Sequence, residues 1–486
     1  MPLPMSPADS LFLMVETREH PMHVGGLQLF VPPDGADAHD VRQTFQEMIG
    51  AENVRPLFRR RARRSVTGLG LWRWEPDNDF DIEHHVRHTA LPHPGRVLEL
   101  LALCGQLHSN LLDRHRPLWE ASLIEGLADG RFAMYLKVHH AVVDGVSALR
   151  LLQRGLSEDP AERKMPPPWA DRPAAEDKRD QDSDQREQDS DQAEQAGDQP
   201  EGDGDQAEQG DALYRALHSA VNILGEVAGL PIALVRTVNR GLHEQAAPLS
   251  FSAPRSMLNV PITGARRFAA QSWPIERIRR VGKAADATVN DVVLAMCSGA
   301  LRTYMLGLDA LPESPLIAMV PVSLHADDSD REGGNAIGVV MCNLGTHLDD
   351  PAGRLGAITA SMNDGKAAMS GMSPLQIMAM SALGMSPLAL APLLGVQNSF
   401  RPPFNLVISN VPGPRSPLYY NGSRLDGLYP LSIPLDGQAL NITCTSYSDE
   451  LAFGLTGCRR SVPHLQRLLG HLDDELQQLE RAAGVA

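Results

Sequence analysis

The chain has 486 residues, 43% of them hydrophobic, and a net charge of −16. This length favours two domains or subdomains, and the apolar content is enough for a sizeable core. Residues 171–211 hold 16 acidic and 4 basic side chains, so the remainder of the chain is nearly neutral. The acidity therefore says little about a substrate.

The N-terminus predicts a helix and no secretory signal. In "MSPADSLFL" (residues 5–13), Ser6 is an N-cap, Pro7 takes the first helical position and Asp9 lies in the first turn. No basic residue precedes the apolar stretch, so a signal peptide is not expected. Five cysteines without C-x-x-C spacing argue against a disulfide framework or a structural zinc site and favour a reducing compartment, so we expect a cytoplasmic protein.

The N-terminal third alternates strands and helices. Residues 22–31 and 131–140 are predicted strands, and residues 96–114 are a predicted helix. Residues 54–64 concentrate six arginines. Such a run is usually a solvated face. A contact with anionic lipid headgroups is the alternative, and no nucleic-acid recognition motif accompanies it.

An acidic, low-complexity segment divides the chain. No Val, Ile, Leu or Phe occurs from Ala170 to Ala212. Such a composition cannot bury enough apolar surface to fold, so residues 158–211 are a predicted disordered linker. It separates an N-terminal part (1–157) from a C-terminal part (212–486).

The C-terminal part continues the mixed pattern. Helices are predicted at residues 275–286, 288–306 and from 462 to about 481, and strands at 316–324, 405–411, 439–447 and 450–457. Helices and strands on both sides of the linker indicate an α/β protein. Residues 367–400 carry no charge, but three prolines interrupt them. Buried helices, a membrane span, or a surface that contacts lipid or lines a lipid tunnel all fit this segment.

The stretch "KVHHAVVDGVS" (residues 137–147) contains the candidate catalytic residues. Alternation places His140 on the apolar face of the preceding strand and His139 on the other face. Asp144 and Gly145 then turn the chain into a helix, and glycine there permits a close backbone approach or a positive φ.

Two simpler interpretations compete with a catalytic histidine. His140 can be a satisfied histidine at a strand end, with Asp144 closing the turn. A metal site is less favoured, because adjacent strand residues point to opposite faces and no further Cys or His spacing completes it. The run His84, His85 and His88 is similarly typical of a surface or strand feature. We expect no metal.

Five motifs together resemble one family. They are "HHAVVDG", "MSPADSLFL", "PLWE" (117–120), "VNDVVLA" (289–295) and "NVPGP" (410–414). Their order and spacing resemble the wax ester synthase/acyl-CoA:diacylglycerol acyltransferase family, within the superfamily of chloramphenicol acetyltransferases and condensation domains. The resemblance implies two chloramphenicol-acetyltransferase-like α/β subdomains, with the active site in a tunnel at their interface.

The resemblance also implies roles for individual residues. His140 would be the general base, while His139, Asp144 and Gly145 would hold the geometry of the motif, with an arginine as a partner for Asp144. Asn290 would stabilise an oxyanion or position the substrate. Alternatively, Asn290 is incidental to a capping box that begins the helix.

The implied reaction moves a long acyl chain from acyl-CoA, a co-substrate and not a resident cofactor, to diacylglycerol or a long-chain alcohol. The implied location is peripheral, at a membrane or lipid-droplet surface. Two alternatives stay open: another acyltransferase or condensation-type enzyme, and a non-catalytic lipid-surface protein that keeps the fold. The sequence does not select the acceptor, the acyl chain length or the oligomeric state.

Overall fold

The computed structural model describes residues 3–33, 35, 38–64, 72–171, 253–323, 337–369 and 402–486. Most of the predicted acidic linker, and the uncharged segment beyond residue 369, lie outside these ranges. The elements before residue 172 are β1 (Leu3–Pro4), α1 (Pro7–Val15), β2 (His23–Val31), α2 (Ala38–Ile49), a 3-10 helix (Pro56–Arg59), β3 (Arg60–Arg64), β4 (Trp72–Pro76), α3 (Ile82–His85), β5 (Val86–Ala90), α4 (Val97–Ser109), β6 (Trp119–Glu125), β7 (Phe132–His139) and α5 (Gly145–Arg154).

The elements after residue 252 are β8 (Arg266–Pro274), α6 (Ile275–Ala284), α7 (Val289–Leu306), β9 (Ile317–Ser323), β10 (Ile337–Asn343), α8 (Pro351–Met369), β11 (Leu406–Val411), β12 (Tyr419–Tyr420), β13 (Ser423–Leu431), β14 (Leu440–Tyr447), β15 (Glu450–Cys458) and α9 (Arg467–Ala482). The mixed α/β class is confirmed. The helix predicted over 96–114 ends earlier, at Ser109, and the last helix begins at Arg467 rather than 462.

Two six-stranded sheets organise the molecule. The first has the order β12-β13-β2-β7-β6-β5 and the second the order β10-β9-β11-β14-β15-β8. Two strands of the first sheet, β12 and β13, come from the C-terminal part of the chain. The division at the linker into 1–157 and 212–486 stays a prediction, but strand pairing crosses it.

Each sheet has its own core. In the second sheet's core, α7 is buried on nearly all sides and packs against α6, α8 and α9. A helix that is apolar all round needs such burial. In the first sheet, the Phe132, Met134, Leu136 and Val138 side chains share one core on the face predicted from their alternation.

A third core joins the two sheets. It contains Leu29, Tyr135 and Leu431 from the first sheet and Phe268 from β8 of the second sheet. Gly454 on β15 lies so near β13 that a Cβ there would overlap the carbonyl of Pro430. The sheets therefore pack closely where β13 meets β15.

Candidate active site

Two neighbouring strands fix the end of β7. The His139 N–H donates to the Leu118 carbonyl beside β6 (2.9 Å), and the His140 N–H donates to the Met22 carbonyl beside β2 (2.8 Å). The "PLWE" motif therefore holds the backbone of the histidine pair. His139 ends a strand whose residues are all buried, on both faces, and His140 follows it.

His139 is completely buried and locks the turn. Its Nδ1 accepts a hydrogen bond from the Ala141 N–H (3.1 Å), so in the neutral ring Nε2 carries the proton. That Nε2 lies 3.5 Å from the Glu16 Oε1. The ring therefore connects the turn to a carboxylate that immediately follows α1.

Glu16 is surrounded by donors. Its Oε2 accepts from the Nε (3.0 Å) and Nη2 (2.9 Å) of Arg114, and its Oε1 accepts from the Met22 N–H (3.0 Å). Burial alone would raise the pKa of Glu16, but His139, Met22 and Arg114 outweigh it and hold this pKa below its ordinary value. The carboxylate is therefore ionised at neutral pH, facing His139.

His140 lies just beyond the strand and is only partly buried. Its ring stacks on Phe12 of α1, with ring centroids 4.2 Å apart and planes inclined by 25°. Burial lowers the pKa of His140, and a hydrogen bond with its own backbone and the charge of Asp144 only partly offset this. With a pKa below 6.5, the imidazole is neutral at pH 7 and can accept a proton.

Asp144 and Gly145 begin the helix that follows the motif. The Asp144 Oδ1 accepts from the Ser147 N–H (2.7 Å), the bond of an N-cap. Among the described residues, Asp144 pairs with no arginine, and Arg114 pairs with Glu16. Gly145 has no positive φ, and a Cβ there would meet no atom of the described residues within 4 Å. Among those residues, no crowded backbone lies beside this glycine.

Asn290 lies at the start of α7. The predicted capping box is confirmed, because Thr288 and Asp291 exchange backbone-to-side-chain hydrogen bonds (2.9 and 3.2 Å). The Asn290 Oδ1 lies 3.5 Å from the Nδ2 of Asn410, so the "VNDVVLA" and "NVPGP" motifs meet. Within the described ranges, Asn290 makes no hydrogen bond to the histidine pair.

A buried lysine lies on the same side of β7 as His139. The Lys137 Nζ donates to the carbonyls of Leu107 (3.1 Å) and Asn110 (2.9 Å) and pairs with Glu120 (3.2 Å). Burial lowers the pKa of Lys137, and Glu120 counteracts part of that effect. These contacts attach β7 to the end of α4.

His85 and His88, in the histidine run over residues 84–88, pack against aromatic side chains. His85 is sandwiched between Trp119 and Phe80, and its Nδ1 lies 2.8 Å from the Trp119 carbonyl. His88 stacks on Phe45. In the part of the chain that the structure describes, no three His, Cys, Asp or Glu side chains are grouped as metal ligands would be.

Phe12, Glu16 and Arg114 were not predicted as site residues. Residues 5–13 predicted a helix start and supplied one motif of the family resemblance, and nothing in their spacing connects them to His139 and His140. The one available signal was a lone carboxylate, Glu16, directly after an apolar helix.

Comparison with known proteins agrees with the motifs. The family model "Wax ester synthase/diacylglycerol acyltransferase catalytic domain" matches residues 5–293, and "WS/DGAT C-terminal domain" matches residues 333–480. The "Probable diacyglycerol O-acyltransferase tgs2" of Mycobacterium tuberculosis (strain ATCC 25618 / H37Rv) is 50% identical, over 99% of each chain.

Solved structures give the same result. The wax ester synthase/diacylglycerol acyltransferase from Marinobacter aquaeolei VT8 is 41% identical, with a TM-score of 0.76 over 99% of this chain and 100% of that one. The first condensation domain of the calcium-dependent antibiotic synthetase is 18% identical, with a TM-score of 0.52 over 99% and 96% of the two chains. This second likeness shows the fold alone. The chain belongs to the wax ester synthase/diacylglycerol acyltransferase family and is an acyltransferase of that family.

Proposed function

We propose that this acyltransferase moves a long acyl chain from acyl-CoA to the hydroxyl of diacylglycerol or of a long-chain alcohol, with His140 as general base. The observation that carries the proposal is the state of His140. Its ring is neutral at pH 7, stacked on Phe12, and positioned by a turn that His139 and Glu16 lock.

In the proposed step, the neutral His140 ring accepts the proton at its unprotonated nitrogen. It takes the hydroxyl proton as the alcohol oxygen forms a bond to the thioester carbon. The C–S bond then breaks, and the proton passes to the departing CoA thiolate. The products are an ester and CoA, with no covalent enzyme intermediate.

The remaining site residues support this step. Asp144, through its cap of α5, and His139, through Ala141, hold the turn on both sides of His140. The described residues leave space beside Gly145, which would give room for substrate. Asn290 and the N-terminus of α7 would stabilise the negative charge that develops on the thioester oxygen, or position the acyl chain. The reaction requires no resident cofactor and no metal.

We further propose that the substrates meet in a tunnel between the two sheets and that the protein is cytoplasmic and peripherally attached to membranes or lipid droplets. The arginine-rich residues 59–64 and the uncharged residues 367–400 would contribute to attachment. Among the described residues, no helix is long and apolar enough to cross a membrane. The tgs2 relative carries diacylglycerol O-acyltransferase in its name, which favours that acceptor.

The test is an acceptor panel. Purified protein is given a long-chain acyl-CoA together with diacylglycerol, hexadecanol or a long-chain amine, and both CoA release and the acylated product are measured. Ester formation with either hydroxyl acceptor supports the proposal. Amide formation alone would indicate a condensation-type enzyme, and no product with any acceptor would indicate a non-catalytic lipid-surface protein.

A further inference from the structure

A second buried histidine lies beside His139. His23 on β2 is the cross-strand partner of His139 on β7, and the two residues are 1% and 0% exposed. The His139 N–H is directed away from β2, to the Leu118 carbonyl, so the two histidines form a non-hydrogen-bonded pair. In such pairs the Cα atoms are about 4.5 Å apart and the side chains are close together. A shift of the His23 ring therefore displaces the His139 ring.

Helix α4 fixes the His23 ring. The His23 Nε2 lies 2.8 Å from the His108 carbonyl, so Nε2 carries the proton and donates the hydrogen bond. The two imidazole rings meet edge to face, with centroids 4.7 Å apart. Burial lowers the pKa of His23 well below 6.5, and the neighbouring His108 and Lys137 add to this effect. The ring is therefore neutral at pH 7 and keeps its donor directed at α4.

His108 extends these contacts to the second sheet. Its Nε2 lies 3.1 Å from the Ser432 carbonyl and must be the donor, so its Nδ1 accepts from the Tyr135 hydroxyl (2.8 Å). Ser432 directly follows β13, and its Oγ lies 2.7 Å from the Thr443 Oγ1 on β14. Burial lowers the pKa of His108 to about 3. Two neutral histidines with fixed protons therefore connect His139 to the second sheet.

We propose that His23 and His108 are positioning residues that hold the histidine pair at a fixed distance from the second sheet. This role rests on the proposed function, in which the base is His140 at the end of β7. Asn290, the proposed oxyanion donor, lies in the first turn of α7, which packs in the second sheet's core. The two sheets then hold different halves of the reaction, and a misplacement of about 1 Å can cost roughly 100-fold in rate.

Two isosteric substitutions separate the side-chain contacts of His108. Asparagine places its amide where Nδ1 lies, so His108→Asn keeps an acceptor for Tyr135 and loses the contact with Ser432. Glutamine places its amide where Nε2 lies, so His108→Gln keeps the donor to Ser432 and loses the acceptor for Tyr135. Each variant gives up one of two buried hydrogen bonds, so both should lower the Tm to a similar extent.

The two variants should differ in rate. We expect His108→Asn to lower kcat roughly 10- to 100-fold with little change in the KM for acyl-CoA, and His108→Gln to stay within about threefold of wild type. The acidic limb of the pH–rate profile should stay in place in both variants, because Phe12 and Asp144 still lie beside His140. Equal losses of kcat, no loss in either variant, or a shifted limb would overturn the proposal.

The control removes a buried hydrogen bond far from the histidine pair. The Tyr304 hydroxyl on α7 donates to the Pro463 carbonyl (2.6 Å). Tyr304 lies about 21 Å along the helix from Asn290. Tyr304→Phe should lower the Tm as the His108 variants do and leave kcat unchanged. A kcat that falls in proportion to the Tm in all three variants would show that His108 only stabilises the fold.

Substitutions of His23 test whether the contacts form one path. His23→Gln keeps a donor for the His108 carbonyl and should behave as wild type, whereas His23→Leu should lower kcat as much as His108→Asn does. If both histidines act along one path, the His23→Leu/His108→Asn double variant should be no slower than the slower single variant. Losses that multiply would mean independent effects and would contradict the path.

A measurement without catalysis separates this proposal from the proposed function. In protein whose histidines carry the heavy nitrogen isotope, the ring signals should show His23 and His108 neutral and protonated at Nε2. The ring signals of His139 should shift in His108→Asn and stay in place in His108→Gln. Unshifted His139 signals in His108→Asn would overturn the positioning role. Shifted signals in a protein that transfers acyl groups to no acceptor would support the positioning contacts and refute the proposed function.

Discussion

Replacement of Glu16 by glutamine tests whether the buried carboxylate positions the histidine pair. Every neighbour of this carboxylate is a donor: the Arg114 guanidinium, the Met22 N–H and the His139 Nε2. An amide has only one acceptor oxygen, so in either orientation its NH₂ group faces donors. Glu16→Gln therefore cannot be accommodated by a simple flip.

The expected loss of stability follows from burial. Breaking a buried ion pair by removing one partner costs roughly 3–5 kcal/mol. The side chain of Arg114 is 35% exposed, so water replaces part of its lost contact, and we expect about 2–3 kcal/mol in the free energy of unfolding. Urea unfolding at pH 7 measures this loss.

The same substitution should lower kcat. Without the Glu16 acceptor, His139 loses its orientation and the turn that carries His140 loosens, and small misplacements of a reacting group cost up to about 100-fold in rate. We expect a roughly 10- to 100-fold lower kcat with little change in the KM for acyl-CoA. The control is Glu19→Gln, three residues further along and exposed, which should alter neither quantity. A Glu16→Gln enzyme as stable and active as wild type would refute the role of Glu16.

Three further predictions concern the stack, the sheet contact and a buried histidine. Phe12→Ala should expose the His140 ring and raise its pKa toward 6.5, so the acidic limb of the pH–rate profile should move to higher pH, and an unmoved limb would contradict the stack. Gly454→Ala should cost about 1–3 kcal/mol of stability, because a methyl group there meets the backbone of β13. By contrast, Gly356→Ala, in α8 with no described atom within 4 Å of its Cβ position, should be neutral or stabilising by up to about 1 kcal/mol, and equal effects would count against the close sheet contact. Burial lowers the pKa of His85 to about 4. As the pH falls below 6.5, His85 therefore takes up a proton in the unfolded chain while it stays neutral in the folded protein. The free energy of unfolding should drop by about 3 kcal/mol between pH 7 and pH 4. Urea unfolding of His85→Gln should show a shallower pH dependence than wild type, and an unchanged slope would refute this assignment.

Local patterns predicted the elements that carry the motif. Alternation over residues 131–140 and the Thr288–Asp291 spacing depend on neighbours in the chain, and both β7 and the capping box are confirmed. The α/β class followed from the same patterns. Local sequence was less informative about where helices end, since α4 stops at Ser109.

The contacts that the sequence did not predict connect distant residues. Glu16 and Arg114 are 98 positions apart, and β13 pairs with β2 across most of the chain. The sequence around Glu16, Arg114 or β13 does not indicate which distant residue each one contacts. An ion pair or a strand pairing depends on how the chain folds, and no local periodicity encodes it. The opposite face of β7 is a similar case: Lys137 and His139 are polar yet fully buried, because α4 and Glu16 supply their hydrogen-bonding partners.

The most direct test of the central claim is the kcat of His140→Ala with long-chain acyl-CoA and the preferred acceptor. If His140 accepts the hydroxyl proton, kcat should fall by roughly 10²–10⁴, the usual contribution of a positioned general base. The Tm and the affinity for acyl-CoA should change little, because the His140 side chain is only partly buried and its backbone bond to Met22 remains. A well-folded His140→Ala enzyme with wild-type kcat would contradict the mechanism.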